Sequence, residues 1–466
     1  MTDPDMTDIA KAQKVGILVP AGMLGAGFPP DTITRGIALG ADVIAIDGGS
    51  TDSGPYYLGT GTGKTPKEAV LRDLRILLRA AAAAHIPLII GSCGTSGTDS
   101  GVDWVAAIVE EVLSSEGLDL SVARIYSEQT PDTVIEHLAA GRVHPLAPPR
   151  SLDAADLRRC EHIVGVMGHE PMMQALHDGA DVILAGRATD TAIAAALALM
   201  HGMPAGPTWH AAKVAECGGQ CTTSPRDGGV FAQIDATGFT IEPLDPNARC
   251  TPQSVAAHML YETANPFQMR EPAGTLVVSD ATYTALDHRR VRVEGSAFEQ
   301  AAQYTIKLEG AAITGYQTMS FTGIRDPKIL AQIDVWAHTL EEVLTARVSQ
   351  VLGLEPGDYD TDLRLYGYNA ILGELDPHPA PPQEVGVMLL VNAATQDLAT
   401  AIAKVANPLM LHLPTPDMTH LPSFAFATSP AETERGAVYE FTLNHVIDVD
   451  DPCQMFPIKL NRPAHV

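Results

Sequence analysis

Asp42-Val-Ile-Ala-Ile-Asp-Gly-Gly-Ser-Thr-Asp52 decides how the chain folds. A short apolar run, rich in β-branched residues, stops at an acid and a paired glycine. Because it is apolar at every position rather than every second one, it suits a strand buried on both faces, as in parallel sheets. The same rhythm recurs on either side. Val15-Gly-Ile-Leu-Val19 ends at Pro20 and Gly22, with a helix expected to follow through Gly40, and Pro87-Leu-Ile-Ile90 is the third strand. Further strands are expected at Val122 to Tyr126, His162 to Met167 and Asp181 to Leu184. Amphipathic helices separate them. Lys67 to Ala84 places Val70, Leu74, Leu77, Leu78 and Ala81 on one face, and a second helix from Val102 repeats the spacing with Val105, Val109, Val112 and Leu113. Shorter ones are expected at Pro131 to Gly141, Pro171 to Asp178 and Asp190 to Met200.

Apolar strands alternating with such helices predict an α/β fold with a mostly parallel sheet. An open doubly wound sheet is favoured over a barrel, because eight strand–helix units cannot be counted. After about Pro207 the pattern changes to an α+β domain. Strands or hairpins are expected at Phe231 to Pro243, Thr275 to Ser279, Val291 to Val293, Tyr304 to Phe321, Asp362 to Tyr368, Glu384 to Asn392 and Val438 to Val449. Helices are expected at Pro327 to Leu352 and Gln396 to Asn407, and Pro377 to Pro382 reads as a loop or linker. The predicted division is a polar segment over 1–13, the parallel α/β domain over 14–206 and an α+β domain over 207–383. A C-terminal α+β segment, 384–466, is expected to pack on the second domain.

The 466 residues carry 56 acidic and 30 basic side chains, a formal charge of −26. So acidic a surface repels phosphate backbones and anionic lipid, which argues against nucleic-acid or membrane partners. No secretory leader and no apolar stretch of membrane-spanning length is visible. Six cysteines over this length make no disulfide framework, so a reducing, cytoplasmic setting is expected. A homo-oligomer is expected for a metabolic enzyme of this size.

Leu58-Gly-Thr-Gly-Thr-Gly-Lys-Thr65 looks like a nucleotide phosphate loop, but position 58 is Leu where the motif needs Gly, and the run begins well past the preceding strand. A mobile Gly/Thr loop ahead of a helix is the plainer account. The stronger signal is where reactive residues fall. Strand two runs into Asp47, Gly48, Gly49, Ser50, Thr51 and Asp52; strand three into Ser92, Cys93, Thr95, Ser96 and Asp99; strand four into Glu128. The next two run into His169-Glu170 and into Arg187 and Asp190. In a parallel sheet these positions share one edge, where ligands bind. Each also has a plain structural account: Asp47 or Asp52 capping a turn, Asp190 a helix, His169 bonding a carbonyl. Glu216-Cys-Gly-Gly-Gln-Cys221 is a second dense constellation, with His210 the histidine nearest to Cys217 in sequence. No cofactor is required. A divalent metal is compatible with Asp47, Glu128, His169 and Glu170, although no standard ligand spacing is present and Cys217 and Cys221 lack a second pair to complete a zinc site.

Together these motifs resemble the acyclic terpene utilization (AtuA) family. The likeness lies in Asp47-Gly-Gly-Ser-Thr-Asp-Ser-Gly-Pro-Tyr-Tyr-Leu-Gly59, Gly179-Ala-Asp-Val-Ile-Leu-Ala-Gly-Arg-Ala-Thr-Asp190 and the Glu216 to Gln220 box. It also lies in Val438-Tyr-Glu-Phe-Thr-Leu-Asn-His-Val-Ile-Asp-Val-Asp-Asp-Pro452, so that it spans about residues 14 to 457. The resemblance implies a role in bacterial breakdown of branched terpenoid acids as CoA thioesters, with hydration or carbon–carbon cleavage as the supposed chemistry.

The leading expectation is a lyase, either a hydro-lyase or a carbon–carbon lyase, acting on a small carboxylate or its CoA thioester by proton abstraction next to a carbonyl. Asp47, Asp52, His169, Glu170, Glu216 and Cys217 are the candidate catalytic groups. Gly48, Gly49, Ser50, Thr51, Ser92, Thr95, Ser96, Arg187, Asp190, Gly218, Gly219 and Gln220 are the candidate substrate contacts, with Arg187 as anion clamp. The alternatives are a Cys217-dependent hydrolase or acyl transferase, and a non-catalytic carboxylate-binding subunit of a catabolic complex.

Overall fold

Strand β1 (Lys14–Val19) opens a computed structural model that describes residues 14–225, 228–375 and 382–462. The expected polar segment 1–13 and all but Pro382 of the expected linker lie outside the described residues. The strands that follow are β2 (Val43–Asp47), β3 (Leu88–Gly91), β4 (Val122–Ile125), β5 (Val143–Pro145), β6 (Cys160–Val166) and β7 (Val182–Ala185). Between and after them come α1 (Pro30–Ala38), α2 (Pro55–Thr60), α3 (Lys67–Ala84), α4 (Asp99–Glu116), α5 (Pro131–Ala139), α6 (Ala154–Arg159), α7 (Glu170–His177), α8 (Asp190–Met200) and α9 (Ala205–Ala215).

β1, β2, β3, β7 and β4 lie side by side in that order, each parallel to the next. Their side chains divide by parity. Leu18, Ile44, Ile46, Leu88 and Ile90 join Leu74, Leu77 and Leu78 of α3 and Val105 and Val109 of α4 in one core. Ile17, Val19, Val43, Ala45, Ile89 and Ile183 join the alanines of α8 and Trp209 of α9 in another. Continuous apolar strands are thus explained by helices on both faces, each buried leucine contributing about 1.5–3 kcal/mol.

The sheet does not end where the α/β pattern ends. β8 (Val230–Asp235) runs antiparallel to β1 along its whole length, and β9 (Gly238–Pro243) folds back on β8. Asp235 Oδ1 accepts the backbone N–H groups of Thr237 and Gly238, which sets the hairpin turn. Strands Val291–Glu294 and Thr282–Ala285 complete that edge, and Ile458–Asn461 pairs antiparallel with β4 at the other. The ten-stranded sheet is therefore mixed and open, with no barrel closure.

The most consequential departure from expectation is β6. It is a strand, as its sequence predicts, but not a member of the parallel sheet: it pairs antiparallel with Lys307–Ala312 of the strand Tyr304–Ile324. Its first three residues are partly exposed, unlike the two-sided burial of its neighbours in sequence. A helix expected directly after Gly22 begins only at Pro30. The intervening loop is pinned instead by Asp73, fully buried on α3, which accepts the N–H groups of Gly25 and Gly27.

The chain forms two compact units: the described residues up to Ala312 with those from Phe441, and Ile313–Glu440. β8 and β9 carry the first sheet past residue 206. The second unit holds the strands Tyr359–Tyr366 and Val385–Ala393, the latter antiparallel to Tyr316–Ile324. Helices Ile333–Leu352 and Gln396–His412 cover them around Trp336, whose indole N–H donates to the Leu413 carbonyl (2.9 Å). The helix expected over 327–352 is broken between Leu330 and Ile333, and the one expected to stop at Asn407 continues past Pro408 to bury Leu409 and Met410. No helix among the described residues is long and apolar enough to cross a membrane.

Candidate active site

Asp47, the last residue of β2, is 7% exposed, and its Oδ1 has no hydrogen-bond partner. It lies on a cavity of about 440 Å³ at the carboxyl ends of the parallel strands. The walls come from the β1–α1 loop (Ala21, Gly22, Met23), the β2 loop (Gly49, Ser50, Asp52), Lys64 and Asp190. Cys217, Gly219, Gln220, Tyr261 and Glu262 close it. Burial pushes the Asp47 carboxyl well above the carboxylate range, and Asp190 pushes it further; Arg187 and the amides of Gly49 and Gly48 oppose. Asp190 opens α8, after Thr189 at the N-cap position. Its pKa is raised by burial and by Asp52, against the pull of Arg187 and Lys213. The pair therefore holds a proton to higher pH than lone carboxylates would, which is what general acid–base work near neutrality requires.

Glycines let the loops behind these acids interlock. Gly49 has φ +142°, and a Cβ there would fall 2.5 Å from the Thr95 Cα. Gly97 has φ +69°, and its Cβ would fall 2.1 Å from the Arg187 amide nitrogen. Thr95 and Ser92 themselves take positive φ (80° and 40°), strain that a densely bonded loop sustains. The Gly/Thr loop is held by the same packing: the Lys64 N–H donates to Thr95 Oγ1 (2.9 Å) and its ammonium to Ser53 Oγ (2.8 Å). Its lysine faces a wall rich in carboxylates.

A second cavity, of about 430 Å³, shares Asp190 and Glu262 with the first and is lined by Arg187, Lys213, Glu216, Arg270, Glu271, Lys307 and Glu309 among others. Arg187 is 8% exposed and already engaged. Its Nε donates to Glu309 Oε2 (2.9 Å), Nη1 to Ser92 Oγ (3.1 Å) and the Ala188 carbonyl (3.0 Å), and Nη2 to Thr51 Oγ1 (3.4 Å). Burial pushes Glu309 up, but Arg187 and Lys307 overcome it and hold the carboxyl at about 2. Burial lifts Glu271 to about 7, against hydroxyl donors from Thr191 and Thr189. Arg187 thus locks the loops together; as an anion clamp it has few donors left.

Of the residues expected at the site, Asp47, Gly49, Ser50, Asp52, Asp190, Cys217, Gly219 and Gln220 meet on the first cavity, and Arg187, Asp190 and Glu216 on the second. Gly48, Thr51, Ser92, Thr95, Ser96 and Gly218 are buried beside them without lining either. Gly48 N–H is taken by the Gly91 carbonyl (2.7 Å), and Ser96 Oγ donates to the Tyr57 carbonyl (3.2 Å). His169 and Glu170 line neither cavity, following a strand that belongs to another sheet. His169 packs edge-on against Trp209 (5.3 Å), its pKa lowered by burial, and Glu170 accepts from the Tyr304 hydroxyl (2.6 Å). Glu128 pairs with His162 and Glu170 lies 3.3 Å from His169, away from the cavity that Asp47 lines, so these four do not come together as a metal-ligand set.

His210, nearest to Cys217 in sequence, is engaged with Ser296 Oγ (2.7 Å) and the Tyr283 hydroxyl (3.2 Å), and burial lowers its pKa to about 3. Burial and then Glu216 push the Cys217 thiol up, which disfavours the thiolate. Lys64, Lys213, Tyr261, Glu262, Glu271, Lys307 and Glu309 were not anticipated. The i,i+3 pair Lys213–Glu216, and an acid placed next to the apolar run of its strand at Glu309, were the available signals; Glu271, at the end of the polar strand Gln268–Glu271, carries none.

Residues 60–445 match the model of a family described as acyclic terpene utilisation family protein AtuA. The chain belongs to the AtuA family. The matched span contains Lys64, Asp190, Cys217, Glu262 and Glu309 of the AtuA cavities, while Asp47 lies just ahead of it. No curated protein and no solved structure shows a significant match.

Proposed function

We propose that this AtuA-family protein is a lyase, a hydro-lyase or carbon–carbon lyase, that moves a proton at the carbon next to a carbonyl of a small carboxylate or its CoA thioester. The observation that carries the reading is Asp47: a carboxylate at a strand end, buried, with one oxygen unpartnered on a cavity wall and a second raised carboxyl beside it. Lyase chemistry needs a base for the carbon-bound proton and an acid for the departing oxygen or carbon fragment. Two carboxyls whose pKa values are both raised, Asp47 by burial and by Asp190, and Asp190 by burial and by Asp52, supply both, one ionised and one protonated. Lys64 is the cation placed to offset an anionic substrate, a part that Arg187, with its donors engaged, fills less well.

Incubation in D₂O with a panel of branched acyl-CoA thioesters and the parent carboxylates, followed by NMR, tests this. Exchange of the proton next to the carbonyl is expected, and Asp47→Asn is expected to slow it by about 10²–10⁴-fold, the usual contribution of a positioned acid or base. Exchange that persists unchanged in Asp47→Asn, or its absence across the panel, counts against the proposal.

A further inference from the structure

Glu216, Cys217 and His258 converge although the histidine lies 41 positions beyond the cysteine in sequence. One ligand atom from each lies within 4.8 Å of the other two. His258 is 5% exposed, and its Nε2 has no hydrogen-bond partner, while the other ring nitrogen is held by the backbone of Lys213. The ring is also stacked on Tyr261 (5.6 Å, 19°), so its orientation is set. An imidazole anchored through one nitrogen, with the other bare and buried beside a thiol and a carboxyl, is how a metal-ligating histidine is built.

We infer that Glu216, Cys217 and His258 bind a zinc-type divalent ion with three protein ligands and one open position. Thiol, imidazole and carboxylate donors together suit zinc or cobalt rather than magnesium or calcium. Tetrahedral bonds of about 2.0–2.3 Å place ligand atoms roughly 3.3–3.8 Å apart, so the cluster needs to contract by no more than about 1.5 Å. Lys213 Nζ bonds Glu216 Oε1, leaving the second oxygen for the ion and providing the outer hydrogen bond a ligating carboxylate normally has. Binding deprotonates Cys217: the sulfur–hydrogen bond breaks, a sulfur–metal bond forms, and the proton leaves to solvent. Cys217 lines the first cavity and Glu216 the second, so the ion sits where a substrate oxygen in either could take its open position.

The full chain, stripped with a chelator and titrated with Co²⁺, tests the inference without any substrate, so its outcome is independent of the lyase reading. Saturable binding is expected, with visible d–d bands and a near-ultraviolet thiolate-to-cobalt band. Cys217→Ser is expected to lose that band, His258→Ala to weaken binding at least tenfold, and Cys453→Ser to retain both. In the unmutated protein, Zn²⁺ is expected to slow thiol-reagent labelling of Cys217, read by peptide mass spectrometry. The inference is overturned if the unmutated protein shows no thiolate band, if the band survives in Cys217→Ser, or if Zn²⁺ leaves Cys217 labelling unchanged.

Discussion

Replacing Glu309 with Gln removes the negative half of a buried ion pair, and the loss can be worked out from both ends. Glu309 is 4% exposed and bonded to Arg187 on Oε2 and Lys307 on Oε1. Its carboxyl is held at about 2, against a reference of 4.5. At 1.36 kcal/mol per pH unit the difference amounts to about 3 kcal/mol of native-state stabilisation. Independently, stranding the partner of a buried pair costs about 3–5 kcal/mol. Arg187 would keep Asp190 as a carboxylate at 3.6 Å and the weaker influence of Asp47. The pH dependence has a definite sign. Because the folded pKa is depressed, the stabilisation is full above about 4.5 and disappears as pH falls through about 2. Urea denaturation followed by tryptophan emission should show Glu309→Gln about 3 kcal/mol less stable at pH 7, with the gap closing between about pH 4.5 and 2. Trp104 and Trp209 both lie in the unit that contains Glu309. A gap below about 1 kcal/mol at pH 7, or one that stays constant down to pH 2, would refute the reasoning.

Asp47→Asn should behave in the opposite sense. A raised folded pKa means the native carboxyl loses stability as pH climbs above its unfolded value, so the amide should equal or exceed the parent in urea midpoint at pH 7 to 8, even as exchange activity falls. A clearly lowered midpoint would show that Asp47 is a structural acid. Gly97→Ala and Gly141→Ala form a matched pair with φ +69° and +71°. At Gly141 nothing lies within 4 Å of the new Cβ, so only the left-handed backbone cost of about 1–2 kcal/mol is expected. At Gly97 the Cβ meets the Arg187 backbone, so denaturation should show a larger loss, accompanied by failure of proton exchange. Equal losses in the two variants would mean that the Gly97–Arg187 approach is not tight.

Much of the first unit was legible because its signals are local. The apolar runs at Val15 to Val19, Asp42 to Asp47 and Pro87 to Ile90 and the helical face of Lys67 to Ala84 are set by spacing within a few residues, and they recur as β1, β2, β3 and α3. With parallel strands, the carboxyl edge follows, so Asp47, Asp52 and Asp190 were placed on one cavity by connectivity alone. Partner choice was not legible. β6 reads locally like its neighbours, yet it pairs with Lys307–Ala312, well over a hundred residues away, and takes His169 and Glu170 out of the site. Arg187 looks like an anion clamp until Glu309, Ser92 and Thr51 are seen to hold its donors. Cys217 looked unpartnered until folding brought His258 beside it. Strand identity depends on periodicity, which each segment carries itself. Burial, hydrogen-bond satisfaction and pKa depend on whichever distant segment fills the space opposite, and only the tertiary structure decides that.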